Sequence, residues 1–175
     1  MNRGRPVDLP AESRLAPGYA GAHLADAFAV RLPDGASGDV VQLARTVMAA
    51  RPGFVGPLMA ARDLVMGRLG VKTSAEIARA GDARPLGRIG AFGVEAVHPF
   101  EVVMAQDDRH LDFKTSFLLL EDGAGRQLVW VSVVRCNNAL GRLYLGAIAP
   151  FHRVIVPAFL SKAVRSGWPQ RPVSR

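Results

Sequence analysis

The sequence predicts an α+β fold: a curved antiparallel sheet, two short helices after its first strand, and a long C-terminal helix laid across the sheet. Three observations carry this prediction. Residues 92–137 hold four β-branched and aromatic runs joined by connections too short for crossover helices, so their strands must be antiparallel. Residues 40–69 place apolar side chains at helical spacing in two separate stretches. Residues 141–166 return to that spacing over a length of about 39 Å at 1.5 Å per residue, enough to cross a whole sheet.

Each element has its own signal. Residues 1–18 combine Pro, Arg and Gly with no apolar period, and read as a flexible arm ahead of a single domain over 19–166. Residues 23–32 alternate partly, with Leu24, Ala27 or Phe28, Val30 and Leu32 apolar before Pro33 and Gly35 turn the chain, which makes a first strand. Ser37 and Asp39 offer helix N-caps to Val40, Leu43, Ala44, Val47 and Met48, a run that Arg51-Pro52-Gly53 stops. Leu58, Met59, Ala61, Val65, Met66 and Leu69 form a second helical pattern ending at Gly70. Residues 70–90 are a connection with one helical turn, where Thr73 and Glu76 stand at capping-box spacing.

Strands follow over 92–97, 100–105, 110–121 and 127–137, separated by His98-Pro99, Gln106-Asp107-Asp108 and Asp122-Gly123-Ala124-Gly125. Asn137 and Asn138 turn the last strand into the final helix, and either side chain suits a helix end. In that helix Leu145, Ile148, His152, Ile155, Val156 and Phe159 share a face directed at the sheet, while Pro150 and Pro157 should bend it or divide its hydrogen bonding. The last nine residues, 167–175, read as a flexible tail.

With 49% hydrophobic and 21% charged residues among 175, the chain has the make-up of one soluble globular domain that builds a core without staples. Cys136 is the single cysteine, and the first twenty residues lack the apolar stretch of a secretory signal, so a reducing cytoplasm is expected. The most apolar stretch, 143–160, is near membrane-spanning length but carries His152 and Arg153 at its centre, and reads as a soluble helix.

The net charge of +7 is unevenly placed. Residues 1–122 hold 14 basic and 15 acidic side chains, and residues 123–175 hold eight basic ones and no acid. These cations stand singly among apolar neighbours without a nucleic-acid fold signature, so no nucleic-acid partner is expected. Arg142 and Arg153 are eleven residues apart and so only about 20° apart around a helix. They would form a basic edge able to make weak contact with an anionic membrane. The number of copies in the assembly is not legible.

The element order resembles the helix-grip fold of steroidogenic acute regulatory lipid-transfer domains, plant pollen-allergen ligand carriers and bacterial polyketide cyclases. Two motifs are narrower: Asp107-Asp108-Arg109-His110-Leu111-Asp112-Phe113, and Asn138-Ala139-Leu140-Gly141-Arg142 leading through Tyr144 to Pro150-Phe151-His152-Arg153-Val154-Ile155-Val156. Together they resemble a bacterial family catalogued as a domain of unknown function, over roughly residues 24–160. The resemblance implies the fold and a ligand-binding role; it carries over no residue roles.

Among candidate site residues His152 ranks first, because it stands in line with Ile148 and Val156 on the inward stripe, where an imidazole can bond a ligand or act as acid or base. Its bland alternative is a core histidine bonded to its neighbours. Tyr144 could bring a hydroxyl to the same cavity, and Ile148, Ile155 and Phe159 would be its apolar wall. Along 110–121, alternation puts Arg109, Leu111, Phe113, Thr115 and Phe117 on the better core face, leaving Asp108, His110, Asp112, Lys114 and Ser116 on the other. The opposite register would bury an acid/base constellation.

No metal is expected, since His23, His98, His110 and His152 lie far apart without HxH or HxxxH spacing. No cofactor is expected either: the glycines of 87–93 precede a strand, where a phosphate cradle needs a following helix. The first functional expectation is non-catalytic binding of a small hydrophobic molecule or lipid between sheet and C-terminal helix. The alternatives are an enzyme of polyketide cyclase or dehydratase type using His152, and a partner-binding domain whose core is filled by its own side chains.

Overall fold

The structure, a computed structural model, describes residues 2–66 and 85–171. Its elements are β1 (Arg5–Val7), β2 (Leu24–Arg31), α1 (Val40–Ala49), α2 (Val55–Met66), β3 (Arg88–Ile89), β4 (Phe92–Val97), β5 (Glu101–Asp107), β6 (Leu111–Asp122), β7 (Gly125–Cys136) and α3 (Ala139–Ser166). The seven strands form one antiparallel sheet in the order β1-β2-β7-β6-β5-β4-β3. The fold is α+β, as the periodicity predicts. The helical turn expected at Thr73 and Glu76 lies outside the described residues.

Alternation decides which side chains meet the helices. Phe28, Val30, Phe117, Leu119, Leu128 and Trp130 point to one face and join Leu43, Val156, Phe159 and Leu160 in the main core. Trp130 meets Phe117 in a tilted contact at 4.8 Å and Phe159 edge-on at 6.0 Å, while its indole N–H donates to Thr115 Oγ1 at 2.7 Å. A buried indole therefore keeps its polar atom satisfied inside an aromatic cluster. Asp39 caps α1 by accepting from the amides of Val41 and Gln42, and Asn138 caps α3 by accepting from that of Gly141.

Helix α3 runs unbroken through Pro150 and Pro157. By length and composition it is apolar enough to cross a membrane. In the fold it lies against β2, β7 and α1, with Val156, Phe159, Leu160 and Ala163 buried.

Two expectations about the termini are corrected. The segment read as a flexible arm supplies β1, which pairs with β2 through Arg5↔Ala29 and Val7↔Ala27. Its Leu15 is buried in a second apolar cluster on the outer sheet face, with Ala29, Leu118, Val129, Val131 and Val133. Buried Glu101 anchors it, accepting from Ser13 Oγ and the Arg14 amide at 2.7 Å each. The tail, as far as it is described, also packs: Trp168 is buried, the Ser37 amide donates to Pro169 O, and the Arg171 amide donates to Gly35 O. Both terminal segments are held by groups distant in sequence, β1 by β2 and the tail by the loop that holds Gly35 and Ser37, which local composition does not record.

Candidate functional site

The two motifs singled out in the sequence meet at one junction. The Asn137 amide donates to His110 O at 2.9 Å, and Asn138 Nδ2 lies 3.1 Å from His110 Nδ1. Asn138 Oδ1 caps α3 by accepting from the Gly141 amide and also lies 3.4 Å from His110 Nδ1, so both ends of the Asn138 amide face that ring nitrogen. The other ring nitrogen, Nε2, is buried without a hydrogen-bond partner among the described residues. Gly141 packs directly on the His110 carbonyl, where any Cβ would overlap it. This junction fixes where α3 leaves the sheet.

Just beyond it, the first turns of α3 and the start of β2 enclose a groove of about 500 Å³. The strand side is His23, Leu24, Ala25 and Asp26, with Cys136 at the end; the helix side is Arg142, Leu145, Gly146, Ala149 and Arg153. Small residues on the helix open the space, and a Cβ added at Gly146 would meet nothing within 4 Å. The arginines are exposed, and neither guanidinium has an ion pair or side-chain hydrogen bond among the described residues. The Cys136 amide donates to His23 Nδ1 at 3.1 Å. Burial pushes the Cys136 thiol above its ordinary pKa, with Arg142 opposing, so the sulfur stays a protonated, weak nucleophile.

Asp26 connects the groove to the inner stripe. On β2 it shares the helix-facing side with Leu24 and Phe28, and its Oδ1 lies 3.1 Å from His152 Nε2. Its Oδ2 is buried and has no hydrogen-bond partner among the described residues. His152 also meets Phe113 edge-on at 6.3 Å.

The expected ligand residues are thus divided. His152 points inward and reaches the groove only through Asp26. The Tyr144 hydroxyl accepts from Arg62 Nε at 3.0 Å, and Arg62 lies 5.4 Å from the ring centroid. Ile148 packs beside Leu111, Val134 and Tyr144. Phe159 is in the main core and Ile155 packs against it. None of these five lines the groove.

On β6, Lys114 bonds Glu95 at 2.9 Å in a partly exposed pair. Of the others on that alternation, Asp108 and His110, just before the strand, and Ser116 within it are buried. No group of three or more His, Cys, Asp or Glu able to hold a metal comes together among the described residues.

A family model described as "Protein of unknown function (DUF2867)" matches residues 19–159, well over half of the chain. The chain belongs to this family. The DUF2867 match takes in every groove residue from His23 to Arg153 and leaves β1 and the buried Leu15 outside. No curated protein and no solved structure matches the chain.

Sequence reasoning missed Asp26, His23 and Arg62. One signal for Asp26 was present: it is a lone acid on the helix-facing alternation Leu24, Asp26, Phe28, Val30, where a carboxylate needs a partner.

Proposed function

We propose that this protein binds, without catalysis, a small amphipathic anion in the groove between β2 and α3. The observation that carries the reading is the pair Arg142 and Arg153 on one wall of that groove, neither in an ion pair among the described residues, with Leu24 and Leu145 beside them. Guanidinium groups bind carboxylate or phosphate in a forked geometry, and the apolar residues suit a hydrocarbon part. The unpartnered Oδ2 of Asp26 offers an acceptor to a ligand hydroxyl. The helix-grip likeness of the element order and a reducing, cytoplasmic setting for a buried single thiol belong to the same proposal.

The test uses anilinonaphthalene sulfonate, an amphipathic anion whose fluorescence rises in apolar surroundings. One-to-one binding is expected, weakened about fivefold for each of Arg142→Ala and Arg153→Ala, the scale of about 1 kcal/mol for a screened charge contact. Gly146→Leu should abolish it, because the side chain enters open space and leaves the fold intact. A folded Gly146→Leu protein with unchanged affinity would overturn the groove as the site.

The Asp26–His152 pair favours a second reading, as an enzyme of cyclase or dehydratase type. With Nε2 committed to Asp26, only His152 Nδ1 would be left to exchange protons. The absence of His152 from the groove lining weighs for binding over chemistry.

A further inference from the structure

Large apolar side chains stand out on the outer side of α3. Leu143, Phe151 and Val154 are 70%, 51% and 61% exposed. At 100° per residue, Leu143, Pro150 and Val154 fall within about 40° of one another, and Phe151 lies about 80° from Leu143 on the side away from the groove. The stripe from Leu143 to Val154 is about 17 Å long at 1.5 Å per residue. Farther along, the molecule covers its own helix: the Gly4 amide donates to Ser161 Oγ at 3.0 Å, and Gly4 packs against Pro157. The first half of α3 has no such cover among the described residues.

Charge selects the occupant. Exposed Arg142 and Arg153 run along one edge of the stripe, and no acid occurs anywhere in residues 123–175. A second copy docking by this face with the two helices antiparallel would bring arginine edge against arginine edge. A bilayer with anionic headgroups offers the opposite charge to the arginines and hydrocarbon to the stripe.

We infer that the outer face of the first half of α3 is a docking surface for an anionic lipid bilayer, with Leu143, Phe151 and Val154 entering the headgroup boundary and Arg142 and Arg153 at its phosphates. The helix lies on the surface and does not cross it, because Val156, Phe159, Leu160 and Ala163 hold it to the sheet. Arg142 and Arg153 are shared with the groove, whereas none of the three stripe residues lines it, so the apolar stripe separates this inference from the proposed anion site.

Co-sedimentation with vesicles tests it, comparing phosphatidylcholine alone with a mixture of phosphatidylcholine and phosphatidylglycerol. The full chain is expected to sediment with the mixed vesicles only. Binding should fall about fivefold for each arginine replaced by alanine. It should vanish as salt rises from about 0.1 M to about 1 M and the screening length shrinks from about 10 Å to about 3 Å. The double variant Leu143→Gln with Val154→Gln changes exposed positions, keeps the helix, and should lose vesicle binding while binding anilinonaphthalene sulfonate as before.

Equal sedimentation of that variant would overturn the inference. So would equal binding to phosphatidylcholine alone, or no binding to the mixed vesicles. A dimer in sedimentation velocity that the same double variant dissociates, with no vesicle binding, would instead assign the stripe to self-association.

Discussion

At the scale of single residues, Asp26 and His152 show how a pair can be hidden. Each is one polar side chain on an otherwise apolar face, and 126 positions separate them. The carboxylate keeps Oδ1 bonded and Oδ2 bare, so the histidine is its one protein partner for side-chain hydrogen bonding among the described residues. Replacing His152 with Leu should cost about 1–3 kcal/mol, the penalty for stranding a partly buried acceptor. His152→Gln keeps a donor and should melt close to the parent. Urea unfolding of both variants decides this, and equal stability of His152→Leu and the parent would show that the pair holds nothing together. Tyr144 teaches the converse: a hydroxyl expected in a cavity is already taken by Arg62.

At the scale of elements, α3 leaves β7 through a tightly packed joint. The Asn138 cap, the Asn137 amide on His110 O and the contact of Gly141 with the same carbonyl all act within two turns. A methyl group at residue 141 would have to displace backbone, not the end of a flexible side chain. Gly141→Ala should therefore destabilise by about 3 kcal/mol, at the upper end for overpacking, even though alanine is the better helix former. A melting temperature equal to or above that of the parent would contradict this geometry. Gly146, only five residues on, should accept alanine with a small gain, because it faces open space. Farther along, fully buried Leu160 and half-buried Ile155 should separate in the same assay. Leu160→Ala should lose about 2–5 kcal/mol, as for a buried leucine, and Ile155→Ala less.

At the scale of the whole molecule, the sheet is covered on both faces, by α1 and α3 on one and by the N-terminal segment on the other. Removing residues 1–15 should bare Leu118, Val129, Val131 and Val133 and leave the buried carboxylate of Glu101 without Ser13 and Arg14. The shortened chain is expected to aggregate or to melt far below the parent. Unchanged melting and solubility would show that the outer cluster needs no cover. Periodicity alone determined the order of the long elements, because a period near two or 3.6 is written in neighbouring residues. The Asp39 and Asn138 caps were equally legible, since a cap acts within three positions of itself. Tertiary structure decided the rest. Residues 5–7 become a strand around Pro6 through their pairing with β2, Asp26 finds His152, and Arg142 and Arg153 come to face a groove. Each of these depends on groups more than a hundred residues apart or on an edge left open by its neighbours, and local spacing carries no record of such contacts.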